Sequence, residues 1–149
     1  MIKDIYFDVR VNDIDIFIKT SDVKRFKQLF ASYEKATFAT DRQYKSFFYG
    51  KYDFNGVKVD VMADMGVYYQ LDCYRYQLND ISQVQERNNR NYMFLEDWFY
   101  IYWLIKRSDK INMIIDYWLN DVKCDQLRVD YLIKQNIPDD LKTYLINLM

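Results

Sequence analysis

Two aspartates, Asp13 and Asp15, stand two residues apart in VNDIDIFIKTSD, and a third acid, Asp60, lies in VKVDVMADM. Carboxylates spaced by two along an extended strand leave the same face, with about 6–7 Å between their backbone positions. If the strand carrying Asp60 runs alongside, the three acids can share a pair of cations about 3.5–4 Å apart. Hard oxygen ligands suit Mg2+ or Mn2+ better than zinc, and magnesium commonly sits between one or two carboxylates and the phosphates of a substrate. The chemistry that follows is phosphoryl or nucleotidyl transfer. The sequence holds no histidine, which removes His-based triads, His-ligated metals and imidazole general bases. Catalysis then falls to carboxylates, Lys, Tyr, Ser or Cys.

Each acid also has a plain structural reading. Asp13 and Asp15 suit a solvated strand face, and Asp60 suits a cross-strand ion pair with Lys51. Asp64 is a weaker substitute for Asp60. Arg10, Arg42, Lys45 and Arg75 are available for phosphate contacts, but solvated surface charge is much the simpler account of each.

The elements that position these residues are legible from periodicity. Ile14, Ile16 and Ile18 alternate with Asp13, Asp15 and Phe17, the period-2 pattern of a strand with one face in the core. SDVKRFKQLFASY follows as an amphipathic helix, with Ser21 as expected N-cap and Val23, Phe26, Leu29 and Phe30 at helical spacing. Asn55-Gly56 then separates two strand-like runs, and this dipeptide tolerates the positive φ angles of a type I′ hairpin turn. A two-residue turn sets Phe54 opposite Val57, Asp53 opposite Lys58, Tyr52 opposite Val59 and Lys51 opposite Asp60. Residues 66–90 are polar and rich in Tyr, Gln and Asn, with an edge strand expected through YYQLDCYRY and a loop through SQVQERNNRN. From Asn91 onward four helical segments follow, the last one after Pro138 with acids in its first turn.

Half of the 149 residues are apolar and 19% are aromatic, which excludes a disordered chain. A formal charge of −1 gives no global signature for nucleic acid or an anionic membrane. Cys73 and Cys124 lack the spacing of a zinc site or disulfide framework and suit reduced thiols. The longest apolar run, WFYIYWLI, falls short of the about 20 residues that span a bilayer, and no basic-then-apolar leader opens the chain. A cytoplasmic protein without membrane attachment is expected. Its α+β fold is expected to divide into an α/β core over residues 1–90 and a helical segment over 91–149, packed as a single unit.

The order D-x-D, helix, and acid on an alternating hairpin strand resembles the minimal nucleotidyltransferase-fold proteins over roughly residues 9–65. The resemblance implies a small mixed β-sheet with flanking helices and a C-terminal helical segment. It implies that Asp13 and Asp15 are metal ligands, and that Asp60 is the third ligand and the candidate base. It further implies Mg2+ or Mn2+ as cofactor and a nucleoside triphosphate as donor, with the acceptor hydroxyl undefined. Family members carry a Gly-Ser or Gly-Gly step at a helix N-terminus about ten residues before the D-x-D, where backbone N–H groups hold the triphosphate. Here that distance reaches Met1, and MIKDIYFDVR contains neither glycine nor serine. Either the start codon lies further upstream or the chain lacks this cradle and binds nucleotide weakly.

Two functions follow as expectations. One is metal-dependent transfer of a nucleoside monophosphate to a hydroxyl acceptor. The other is a catalytically degenerate member of the fold acting as an interaction or inhibitory module. For the second, the aromatic helix around Trp98, Tyr102 and Trp103 offers a surface to a second copy or a protein partner, unless it is the seam to the sheet.

Overall fold

The computed structural model describes residues 13–37, 44–78 and 84–148. The chain forms two compact units, Met1–Val67 with Arg75–Asn79 and Tyr68–Tyr74 with Asp80–Met149.

The first unit is built on a four-stranded mixed sheet in the order β1-β4-β3-β2, from β1 (Ile14–Phe17), β2 (Glu34–Thr37), β3 (Phe48–Phe54) and β4 (Val57–Ala63). Asn55 and Gly56 adopt φ angles of 55° and 91°. The β3–β4 register is the one their dipeptide dictates, with Phe54 opposite Val57 and Lys51 opposite Asp60. Asp53 Oδ1 closes the turn by accepting the Gly56 N–H at 2.6 Å. β1 lies parallel to β4, so the connection between them must cross over, and helix α1 (Val23–Phe30) lies within it.

Alternation decides which face is which. Phe48, Tyr52, Val59, Val61 and Ala63 are buried, and Ile14, Ile16, Ile18, Val23, Phe26 and Phe30 pack on them. Phe26 meets the Tyr52 ring edge-on at 5.1 Å, and Phe30 meets Phe54 at 5.5 Å. The apolar stripe of α1 thus covers the core face of the sheet, over Tyr52 and Phe54 of β3. The intervening residues, among them Asp15 and Asp60, are left on the opposite face.

Ser21 is not the helix cap. It lies inside a 3-10 turn, Thr20–Asp22, and its hydroxyl donates to Asp22, which holds the N-cap position of α1 without a side-chain capping bond.

The polar middle of the chain holds more strand than its composition suggests. β5 (Met65–Tyr69) and β6 (Asp72–Tyr76) pair as a two-stranded sheet, so YYQLDCYRY turns back on itself, with Gln70 at φ 56°. The expected loop is a further hairpin from Val84 onward, β7 (Val84–Arg87) with β8 (Arg90–Met93). Its turn is Asn88-Asn89, at φ 50° and 57°, because asparagine tolerates the left-handed region that other side chains avoid.

The second unit contains α2 (Leu95–Leu104), α3 (Ser108–Asn120), α4 (Gln126–Leu132) and α5 (Asp139–Leu148). Lys106, at φ 57°, ends α2 as its N–H reaches the Trp103 carbonyl while the Arg107 N–H reaches that of Tyr102, the paired bonds of a Schellman motif. Phe99 is fully buried and its ring meets those of Trp103, Trp118 and Tyr144 at 5.0–5.9 Å. Phe99 and Trp103 of the aromatic helix therefore pack against other rings of the helical unit, whereas Trp98 and Tyr102 are half-buried and stack on each other. None of the described helices is long and apolar enough to cross a membrane.

Candidate functional site

Parallel pairing of β1 with β4 sets Ile14 beside Val59, Asp15 beside Asp60, and Phe17 beside Met62. Asp13 precedes the strand and is exposed, while Asp15 and Asp60 are half-buried. At one end of this face the Phe17 ring meets Tyr76 edge-on at 5.4 Å. The strand adjacency that the sequence required is present, and Asp15 and Asp60 come together as neighbours.

A fourth residue joins them. Tyr49 of β3 is the registered partner of Met62, diagonal to Asp60 on the same face and within reach of it. Its hydroxyl donates to Asp60 Oδ2 at 2.6 Å. The same oxygen lies 3.9 Å from Lys51 Nζ, a pair whose lysine is half-exposed, so its attraction is weak beside the hydroxyl's charge-assisted bond. Burial pushes the Tyr49 pKa well above the ordinary tyrosine value, followed by the hydrogen bond to Asp60 and the charges of Asp60, Asp15 and Asp13. All three carboxylates therefore act on one hydroxyl.

The donor set fits a hard divalent cation in kind, being three carboxylates on one sheet face without histidine or thiolate. In position it is incomplete. Among the described residues no three Asp, Glu, His or Cys side chains lie close enough to hold an ion, and Asp60 Oδ2 is already engaged by Tyr49. Asp15 would face the ion from β1 and Asp13 from the residue before it, with Asp60 joining them from β4.

The other sequence candidates separate from this group. Asp64, at φ 46°, follows the last residue of β4 and receives Arg75 Nη1 at 2.9 Å, so Arg75 is committed to an ion pair. Lys45 donates its backbone N–H to the Gly66 carbonyl. A Cβ at Gly66 would meet the Lys45 carbonyl oxygen at 2.7 Å, which explains the glycine there. Arg10 and Arg42 lie outside the described residues.

Two features escape a reading of spacing alone. Tyr49 is one; its signal is alternation with Lys51, which places both on the acid face of the hairpin. The other is a buried ion pair in the helical unit. Arg128 and Asp97 are 6% and 0% exposed and joined by three hydrogen bonds of 2.8–3.0 Å. The guanidinium also lies over the rings of Tyr131 at 4.3 Å and Phe94 at 5.1 Å. Next to it, buried Glu96 accepts the Asp125 N–H at 2.7 Å.

No protein-family model matches this chain, and no curated protein does. Among solved structures it is similar to a putative nucleotidyltransferase (TM1012) from Thermotoga maritima, with a TM-score of 0.52 and 22% identity over 76% of this chain and 73% of that one. The mixed sheet, its crossover helix and this likeness agree: the chain has a nucleotidyltransferase-type α+β fold.

Proposed function

We propose that the chain transfers a nucleoside monophosphate from a nucleoside triphosphate to a hydroxyl acceptor, using Asp13, Asp15 and Asp60. The observation that carries this reading is the register of Asp15 with Asp60 on parallel neighbouring strands of a nucleotidyltransferase-type sheet. Asp13 and Asp15 would hold Mg2+ or Mn2+, which when bound would supply positive charge against the phosphates. Asp60 accepts the proton of the attacking hydroxyl. A bond forms between that oxygen and the α-phosphorus, the α–β phosphoanhydride bond breaks, and pyrophosphate leaves. The test is incubation with labelled nucleoside triphosphates and Mg2+ or Mn2+ in the presence of cell extract as acceptor source. Label transfer that Asp15→Asn abolishes supports the reading; equal labelling by wild type and variant, or none by either, contradicts it.

A second reading is a degenerate member of the fold serving as an interaction module, and the engagement of Asp60 by Tyr49 and Lys51 favours it. On that reading Asp13→Ala and Asp15→Ala leave function unchanged.

A further inference from the structure

We propose that one face of the β7–β8 hairpin is a docking surface for a single strand of nucleic acid, with Arg87 and Arg90 on backbone phosphates and Tyr92 against a base. The inference goes beyond the proposed transfer and stands whether or not that transfer occurs.

Register sorts the hairpin into two chemically different faces. Gln85 pairs with Tyr92 and Arg87 with Arg90, whereas Val84 pairs with Met93 and Glu86 with Asn91. Residues opposite one another, and those two apart along a strand, share a face. Gln85, Arg87, Arg90 and Tyr92 therefore lie together, and on that side Arg87 Nη2 donates to Gln85 Oε1 at 3.0 Å. Glu86, the only acid of the two strands, falls on the other face with Val84 and Met93.

Two arginines directly opposite each other repel, and a two-stranded ribbon has little stability to spare. Both are exposed, and Arg90 makes no hydrogen bond or ion pair among the described residues. A phosphate seated between the guanidiniums turns that repulsion into charge-assisted bonds. At the tip, exposed Asn88 and Asn89 add amide donors without negative charge. Tyr92, half-buried beside the arginines, has no ring partner among the described residues. An acidic peptide offers carboxylates to the arginines and nothing to this ring, and a duplex hides the faces of its bases. A single strand supplies both a phosphate and a π-face at each step.

The experiment is fluorescence anisotropy of labelled oligo(U) with the full chain over a range of salt concentrations. It compares wild type, Arg87→Gln with Arg90→Gln, and Lys123→Gln with Lys134→Gln, the last pair removing the same charge from exposed positions outside the hairpin. The arginine variant is expected to bind roughly tenfold more weakly and to lose about 1.4 from the slope of log affinity against log salt, at about 0.7 per phosphate contact on a single strand. The lysine variant is expected to match wild type, and Tyr92→Leu to weaken binding at an unchanged slope. Arg90→Gln alone is expected to shift affinity in the same direction as the double variant and stands in if that variant does not fold. Equal affinity and slope for wild type and the arginine variant, an equal loss in the lysine variant, unchanged affinity in Tyr92→Leu, duplex RNA bound as tightly as oligo(U), or no binding at low salt overturns the proposal. Binding of poly-glutamate in place of oligo(U) overturns it too and assigns the face to an acidic protein. None of these readouts uses Mn2+ or nucleotide transfer, so failure here leaves the transfer reading standing.

Discussion

Asp15 and Asp60 are registered side by side on two parallel strands, an arrangement that sets two carboxylates against each other. Like charges directly opposite on a sheet destabilise it unless a counter-charge or donor offsets them. The Tyr49 hydroxyl and the Lys51 ammonium are both drawn to Asp60, and both offset that repulsion.

That repulsion predicts an inverse relation between stability and metal binding. Asp15→Asn is expected to raise the stability of the metal-free chain by up to about 1 kcal/mol while weakening its hold on Mn2+. Urea melts in the presence of a chelator check the first half. A variant less stable than wild type by 1 kcal/mol or more would mean that Asp15 serves mainly as a structural acceptor.

In the helical unit, Arg128→Met leaves the Asp97 carboxylate buried without its bidentate partner. A cost of about 3–5 kcal/mol is expected. Replacing both residues, Asp97→Leu with Arg128→Met, is expected to recover most of it, since an apolar pair carries no uncompensated charge. Thermal or urea melts of the two variants measure this. Equal destabilisation of single and double variants would show that packing around Phe94 and Tyr131, rather than charge, sets the cost.

Glu96 gives the chain a pH dependence of definite sign. Burial raises its pKa above the ordinary glutamate value, more than the backbone hydrogen bonds to it, the Asp125 N–H first, lower it. The folded state therefore binds a proton more readily than the unfolded one, and stability from this group is lost as pH rises through the folded pKa. Glu96→Gln keeps an oxygen for the Asp125 N–H and does not ionise. It is expected to melt above wild type at neutral pH, with the gap closing below about pH 4 as wild-type Glu96 is protonated in both states. A gap independent of pH would assign the effect to something other than ionisation.

The parts of this fold that were legible in the sequence are those where a local rule suffices. Asn55-Gly56 set the β3–β4 register to the residue, and alternation about Ile14, Ile16 and Ile18 put Asp13 and Asp15 on one face. The docking of β1 beside β4 depends on contacts distant in sequence: convergence of the three acids requires the two strands to be neighbours, but nothing local gives their parallel direction. The β7–β8 hairpin was hidden because Asn88-Asn89 sits among polar residues without the apolar alternation that marks a strand. Strand β2, EKAT, has the same weakness. The contact of Tyr49 with Asp60 runs diagonally across two strands, which spacing along one strand does not display. Glu96 and Asp97 read as ordinary first-turn acids of a helix, and only tertiary packing shows them buried.

The proposed transfer requires Asp13, Asp15 and Asp60 together to hold a divalent cation. Calorimetric titration of Mn2+ into wild type, Asp15→Asn and Asp60→Asn measures it directly. One saturable binding event is expected in the wild-type chain, weakened at least about tenfold by either substitution, since loss of even a group that supports a metal ligand costs about that much affinity. Wild-type affinity retained in both variants, or no saturable binding in the wild-type chain, would contradict it.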